Sequence, residues 1–283
     1  MGRRTALPAP SFRASVLVVP LVVVLGFVLV WPMVTLAIQS FTSDAGGFTI
    51  VRYIEVLTSR RYLMSVLITA FLASLSTIIA LVICVPAGLY ISSDRSLLGK
   101  LLAVALSIPM SLPGIVIGFF IILLVGNTVV VPLLFEATTG ERRMQFAYTW
   151  AGLTLGYVYF QIPRVVLIIR GASEDVSREV INSARSLGAG TATIYKRVVL
   201  PALKPAIASA SVLTFATAFG AYGTAATLSR GLRVMPLEIA AAFTDNFQPA
   251  TAATLSLILA TVTTTVLVGV NAWGSKKVVS SKV

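Results

Sequence analysis

Residues 63–91 read LMSVLITAFLASLSTIIALVICVPAGLYI, an apolar run without a charged side chain. A helix needs about 20 predominantly apolar residues to cross the hydrocarbon core of a bilayer, so this run is long enough to span it. A membrane strand would instead show about ten residues of alternating polarity. The run therefore predicts a transmembrane helix.

Five further apolar runs predict transmembrane helices at 14–41, 101–125, 148–170, 205–228 and 250–273. The chain is 57% hydrophobic and 11% charged over 283 residues, and a soluble domain could not bury that much apolar surface. The first run is too long for a cleaved signal peptide, whose apolar core has about 7–15 residues, so we expect it to remain as the first helix. The predicted fold class is an all-α, polytopic membrane protein with six transmembrane helices.

Lysine and arginine are distributed unequally between the two sides of these helices. The side with both termini and the loop 171–204 carries 14 of them, and the opposite side carries 7. Because basic residues accumulate in cytoplasmic loops, both termini and this loop are predicted to be cytoplasmic. The same distribution accounts for much of the net charge of +12, so we expect no nucleic-acid partner.

Residues suited to catalysis or ion coupling are scarce within the predicted helices. The chain has no histidine, and its single cysteine, Cys84, is expected to be a small buried residue, so no metal site is predicted. An ion-coupled secondary transporter, the main alternative function, would need a carboxylate within the membrane, and an enzyme would need acid–base groups there. All ten acids lie outside the predicted helices: Asp44, Glu55, Asp94, Glu136, Glu141, Glu174, Asp175, Glu179, Glu238 and Asp245.

Two prolines interrupt the third predicted helix near its middle. Pro109 and Pro113 each remove a backbone donor, and carbonyls freed at that depth must face protein or a water-filled cavity. We expect a kinked helix that faces the bundle interior, with Pro109, Ser111 and Pro113 on a translocation path; a kink used only for packing is the alternative. The small-residue motifs at 114–118 and 152–156 allow close helix contact.

Arg164 is a cation within the fourth predicted helix. We favour snorkelling to the cytoplasmic interface, since Arg170 ends the helix about 9 Å further along at 1.5 Å per residue. A contact with the transported solute is the alternative.

The loop 171–204 begins with the pattern of an amphipathic helix. Ser173 is predicted to cap this helix and Gly188 to end it. A short helix of this kind is marginal in water, so its apolar stripe needs the membrane surface, the protein's own bundle or another subunit as partner. The predicted stripe consists of Val176, Val180, Ala184 and Leu187.

A second short helix is predicted after Gly190, with Ile194 and Val198 on one face. We expect it to stop before Pro201, and Pro205 to begin the next span. The loop is thus predicted to form two short helices joined by a glycine turn.

The segment NSARSLG at 182–188, followed after nine residues by VVLP at 198–201, resembles the EAA signature of the membrane subunits of bacterial ABC importers. That signature reads Glu-Ala-Ala, three residues, Gly, nine residues, Ile-x-Leu-Pro. The alanine, the glycine, the spacing and the final Leu-Pro match, whereas Asn182 and Ser183 stand in place of Glu and Ala.

The resemblance implies one transmembrane permease domain over 1–283 in a bacterial inner membrane. It also implies that residues 173–190 form a coupling helix that docks on an ATP-binding subunit. The docking residues expected on this basis are Asn182, Ser183, Ala184, Arg185, Leu187, Gly188, Leu200 and Pro201.

The chain lacks the Gly-x-x-x-x-Gly-Lys-[Ser/Thr] loop that holds nucleotide phosphates, so it is not expected to be the ATPase itself. The resemblance implies that ATP and Mg²⁺ bind to two partner ATP-binding subunits. It further implies a second permease subunit, which we expect to be a related chain rather than a second copy, and an extracytoplasmic solute-binding protein.

The segment AFGAYGTAATL at 218–228 resembles permeases of the polyamine, iron, thiamine and aminoethylphosphonate group, which implies a small polar or charged solute. The hydroxyls of Tyr222 and Thr224 are predicted to line the path, and a packing role for Gly220 and Gly223 stays open. The stretch 235–245 is expected to be an outer-face helix with its acids in water, serving as a receptor contact, a gate or a connector.

Overall fold

The computed structural model describes residues 12–43, 46–93, 96–126 and 146–279, and these are built of helices. This confirms the all-α fold class. The helices are α1 (Phe12–Leu25), α2 (Trp31–Phe41), α3 (Val51–Thr58), α4 (Arg60–Ser93), α5 (Leu97–Ala105), α6 (Ser107–Ser111), α7 (Gly114–Val125), α8 (Trp150–Glu174), α9 (Arg178–Ser186), α10 (Thr191–Ile194), α11 (Leu200–Phe219), α12 (Tyr222–Leu228), α13 (Met235–Thr244) and α14 (Pro249–Val279).

Some residues used in the sequence analysis lie outside the described ranges. They contribute to the count of basic residues on each side and to the count of acids outside the spans. They are Arg3, Arg4, Asp44, Asp94, Arg95, Glu136, Glu141, Arg142, Arg143 and Lys282.

Five helical stretches within the described ranges are long and apolar enough to span a bilayer. They correspond to the predicted spans other than the third: Val19–Phe41, Arg60–Ser92, Trp150–Glu174, Thr191–Phe219 and Pro249–Val270. The fifth predicted span began and ended too late, because the helical stretch runs from Thr191 to Phe219 and Gly220 leads into the separate helix α12.

The third span consists of the short helices α5, α6 and α7 rather than one kinked helix. Leu112 is extended, with ψ of 132°, because a residue before proline avoids the helical conformation. Pro113 is also extended, with ψ of 146°. Pro109 lies in the first turn of α6, where a missing backbone donor removes no helical hydrogen bond. The prolines therefore separate helices instead of bending one.

The bundle is assembled around α4 and α8, which pack along each other, with α11 against both. Helix α7 packs against α8 and α12 and buries Ile117 and Ile121, so this part of the third span faces the interior as predicted. The residues beside the prolines do not follow the prediction, since Ile108 and Met110 are exposed. Helix α14 lies against α2, α11 and α13. Cys84 is buried in the apolar cluster shared by α4, α8 and α11, as predicted.

Glycines allow the close approach of α7, α8 and α12. A Cβ added to Gly118 would lie 2.7 Å from Cβ of Thr227, and one added to Gly156 would lie 2.9 Å from Cγ2 of Thr224. Both distances are too short for real atoms. The small-residue motifs therefore serve the helix contacts predicted for them.

Candidate functional site

Helix α9 carries four of the eight predicted docking residues, and the turn that ends it carries two more, but the helix begins later than predicted. Helix α8 continues to Glu174, so Ser173 lies in its last turn and its hydroxyl donates to the Arg170 carbonyl at 2.7 Å. The residue that precedes α9 is Ser177. The prediction that Ser173 caps the coupling helix was wrong, because the fourth membrane helix extends through the predicted start.

The end of α9 is confirmed at Gly188, whose φ is +79°. The Gly188 N–H donates to the Arg185 carbonyl at 2.9 Å, and the Ala189 N–H donates to the Ala184 carbonyl at 3.1 Å. This pair of bonds is the Schellman motif, which closes a helix by a left-handed residue. The turn after α9 is thus set by the conformational freedom of one glycine.

The apolar residues of α9 do not form the single stripe that was predicted. Val176, Ile181 and Ala184 pack against the apolar cluster of α4, α8 and α11. Val180 and Leu187 are instead 52% and 88% exposed. The buried face of α9 is centred between Ile181 and Ala184, so Val180 and Leu187 lie at its edges and stay exposed. The protein's own bundle covers one part of the stripe and leaves another part free for a partner.

The other predicted docking residues are divided between two elements. On α9, the exposed docking residues are Asn182, Ser183 and Arg185. Asn182 and Arg185 also line a cavity of about 640 Å³, together with Glu174. Leu200 and Pro201 are exposed as well, but they begin α11. The structure therefore groups 182–188 on α9 and the turn that ends it, and places the final Leu-Pro at the start of α11.

Helix α10 does not stop before Pro201 as predicted. It continues through a π-helical turn, Tyr195–Val199, directly into α11, and Pro205 lies inside that helix. In the wider turn the Leu200 N–H donates to the Tyr195 carbonyl, five residues back instead of four. The regular backbone hydrogen bonds are therefore already interrupted where Pro201 lacks a donor. A π turn thus lets one helix run from the loop after α9 into the membrane-spanning stretch Thr191–Phe219.

A cavity of about 410 Å³ lies between α7, α8, α11 and α12. Tyr222, 47% exposed, offers it a hydroxyl, whereas Thr224 is buried and donates to the Gly114 carbonyl at 3.1 Å. Gly223 serves packing, because an added Cβ would lie 2.8 Å from the Ile115 nitrogen. The cavity's lining includes Gly114, Phe160, Thr217, Gly220, Tyr222 and Thr224.

The remaining predicted path residues, Pro109, Ser111 and Pro113, are not among those that line this cavity. The Ser111 hydroxyl donates to the Ile108 carbonyl at 2.8 Å, within its own turn. Their role on a path stays a prediction. Sequence reasoning missed Phe160, because one aromatic residue in an apolar helix carries no signal of a cavity wall.

Arg164 does not take the predicted snorkelling position. Its guanidinium lies 4.1 Å from the centre of the Phe160 ring, and Nη1 donates to the Phe160 carbonyl at 3.4 Å. Phe160 lies one helical turn before Arg164, on the side away from α9, whereas Arg170 lies after Arg164, on the α9 side. The guanidinium therefore points along α8 toward its N-terminus and away from α9, because side chains on a helix lean toward the N-terminus.

The helix α13 is held at the end of the bundle opposite α9 by an ion pair. Glu238 is 5% exposed, and its Oε2 accepts from Arg61 Nε at 2.8 Å and pairs with Nη2 at 2.6 Å. Arg233 lies 4.0 Å from Oε1 of the same carboxylate. The expectation that Glu238 lies in water was wrong, because the turn before α13 brings it against the start of α4. Asp245 is exposed as expected.

Replacing Glu238 by glutamine is expected to lower the thermal unfolding midpoint of the detergent-solubilised permease by several degrees. The variant leaves the guanidinium of Arg61 without its carboxylate, and a hydrogen bond to a charged group contributes about 1.5–3 kcal/mol. Asp245→Asn, at an exposed position near the end of α13, is the matched control and should not change the midpoint. Equal midpoints for the two variants would contradict a stabilising role of the ion pair.

Residues 84–272 match the protein family described as binding-protein-dependent transport system inner membrane component. The molybdenum transport system permease protein ModB of Mycobacterium tuberculosis is 29% identical over 225 residues, which cover 78% of this chain and 83% of ModB. The sulfate transport system permease protein CysW of Synechococcus elongatus is 24% identical over 247 residues, which cover 86% of this chain and 83% of CysW. These relatives are named for molybdenum and sulfate transport, so the prediction that polyamine, iron, thiamine and aminoethylphosphonate permeases are the nearest group was imprecise.

Among solved structures, the fold resembles a chain of a bacterial ABC transporter that imports the acidic polysaccharide alginate. The TM-score is 0.81, the match covers 94% of this chain and 96% of that chain, and the sequences are 14% identical. At that identity the likeness concerns the fold. The family match extends over more than half of the chain and includes α9 and most of the bundle. The chain therefore belongs to the family of binding-protein-dependent inner-membrane transport components and is a multi-pass permease subunit of an ABC importer.

Proposed function

We propose that this subunit forms half of the membrane pathway of an importer for oxyanions of the molybdate or sulfate class. The observation that carries the proposal is the similarity to ModB and CysW over most of the chain. The chemistry of the cavity between α7, α8, α11 and α12 agrees with it. The residues described as its lining include no carboxylate that would repel an anion, and Tyr222 supplies a hydroxyl donor. The Thr217 and Thr224 hydroxyls already donate to backbone carbonyls.

We further propose that α9 is the coupling helix and docks on a separate ATP-binding subunit, which binds ATP and Mg²⁺. Two exposed apolar side chains, Val180 and Leu187, support this role, because burial in a partner would remove them from water. The Schellman turn at Gly188 holds the helix end in place. The docking residues remain the eight named from the signature, of which Leu200 and Pro201 would contact the partner from α11.

The complete assembly that we propose contains two ATP-binding subunits and two permease subunits, the second being a related chain rather than a second copy. An extracytoplasmic binding protein delivers the solute, and both termini lie in the cytoplasm. An ion-coupled secondary transporter is disfavoured, because the acids within the described ranges lie outside the membrane-spanning stretches or, for Glu174, at the last residue of one. Glu238 is also paired with Arg61.

The proposal is tested by reconstituting the complete transporter in liposomes, with ATP inside and the binding protein outside. We expect radiolabelled molybdate or sulfate to accumulate, and to do so only when both ATP and the binding protein are present. Accumulation driven by an ion gradient without nucleotide would contradict the coupling mechanism. Accumulation of a polyamine or thiamine in place of either oxyanion would contradict the substrate class.

A further inference from the structure

Arg164 is a membrane-embedded cation without a carboxylate partner among the described residues. It lies 14 residues after the start of α8, about 21 Å along the axis at 1.5 Å per residue, and six residues, about 9 Å, before Arg170. A charge at such a depth is costly unless it faces a partner or a water-filled cavity. A negative group near Arg164 would therefore be stabilising, and the described residues of this chain do not supply one.

The surroundings of the guanidinium favour a ligand that reaches it from the cavity. Its face is covered by the Phe160 ring at 4.1 Å, a cation–π contact that helps to hold a desolvated cation. One of its nitrogens donates to the Phe160 carbonyl at 3.4 Å, and the other guanidinium donors have no partner in the described part of the chain. Phe160 itself lines the 410 Å³ cavity, so Arg164 lies one helical turn beyond the cavity wall.

We propose that Arg164 binds the oxyanion within the membrane, after the anion has passed the hydroxyl-lined cavity between α7, α8, α11 and α12. This inference rests on the proposed function, because it takes the solute to be an oxyanion. The planar guanidinium presents parallel donors that match two oxygens of a tetrahedral anion. Tyr222 would contact the anion first, and Phe160 would keep the guanidinium directed toward it.

The arrangement also predicts which change at this position should be tolerated. Lysine keeps the charge and loses the fork of donors, whereas glutamine keeps hydrogen-bonding capacity and loses the charge. A residue needed only for packing or for snorkelling would show no preference for the anion. An anion-binding residue should instead change the KM for uptake, with lysine replacing it in part.

The test uses the complete reconstituted transporter and three variants: Arg164→Gln, Arg164→Lys and Arg170→Gln. Arg170 is the matched control, because it lies on the same helix but pairs with Glu174 at 3.6 Å near the cytoplasmic end. We expect Arg164→Gln to lower the initial rate of oxyanion uptake at least about tenfold, or about 1.4 kcal/mol. Stimulation of ATP hydrolysis by the binding protein should stay within about twofold of the unaltered protein. Arg164→Lys should give an intermediate rate with a raised KM, and Arg170→Gln a nearly unchanged rate.

Unchanged uptake by the Arg164→Gln transporter, with oxyanion import intact in the unaltered protein, would overturn the inference and leave the proposed function standing. Failure of the unaltered protein to import either oxyanion would overturn both. If Arg164→Gln does not assemble, Phe160→Leu provides the second measurement, because it removes the ring and keeps an apolar side chain. We then expect a KM raised several-fold at unchanged ATP hydrolysis, and an unaltered KM would refute the role of Arg164.

Discussion

Replacing Gly188 by arginine is expected to abolish association with the ATP-binding subunit and, with it, ATP-driven uptake. The φ of +79° at this position costs about 1–2 kcal/mol for a residue with a Cβ, so the Schellman turn would open. The new side chain would also place a long cation beside Leu187, on the face proposed to dock. Membrane insertion should be unaffected, because Gly188 lies outside the spanning helices.

The measurement is a pull-down of the permease by its ATP-binding subunit, followed by uptake in liposomes. Gly171→Arg is the matched control, since Gly171 also has open space around it and lies on the α9 side of the bundle without a positive φ. A second pair separates backbone strain from charge: Gly188→Ala should weaken association measurably and Gly190→Ala should not. Equal recovery of the Gly188→Arg protein and the unaltered permease would count against α9 as the docking element.

Gly118→Leu is expected to disrupt the packing of α7 on α12 and to lower the amount of folded permease severely. Even a single added Cβ at Gly118 would lie 2.7 Å from Cβ of Thr227, so a leucine side chain has no space unless the two helices separate. Overpacking of a tight interior typically costs about 1–3 kcal/mol, and here separation would also break the Thr224 hydroxyl bond to the Gly114 carbonyl.

Thermal unfolding in detergent and fluorescence-detected size exclusion would measure this effect. Gly269→Leu is the matched control, because Gly269 lies in α14 with nothing within 4 Å of an added Cβ, and a leucine there suits an apolar environment. We expect an unfolding midpoint lowered by at least about 5 °C for Gly118→Leu and an unchanged midpoint for Gly269→Leu. A Gly118→Leu protein as stable as the control would show that α7 and α12 do not pack as described.

The helical spans could be predicted because membrane helices must be long, apolar and internally hydrogen-bonded. Apolar length alone does not show where a span is interrupted. Leu112 is extended because it precedes Pro113, an effect that the prediction of one kinked helix did not take into account. Gly220 ends α11 without any change in the apolar character of the run. Pro201 wrongly predicted the end of a helix, since the preceding π turn accommodates the missing donor within a continuous helix.

The candidate sites could be predicted where local chemistry decides the structure. A glycine that ends an amphipathic pattern predicts a left-handed turn, and Gly188 has one. Which face of α9 is buried depends instead on where α8 ends, and periodicity does not contain that information. Contacts between distant residues were equally inaccessible: Glu238 pairs with Arg61 from 177 positions away, and the pairing shows only once the chain is folded.

The π turn at Tyr195–Val199 has a mechanical consequence. Because it joins α10 to α11 without a break, the stretch Thr191–Phe219 is a single rod of 29 residues, about 43 Å long at 1.5 Å per residue. One end of this rod follows α9, and the other end forms a wall of the 410 Å³ cavity at Ala216 and Thr217. With α9 docked on an ATP-binding subunit as proposed, a small tilt imposed at that end would move the far end as a lever does, and would widen or narrow the cavity without any helix having to melt.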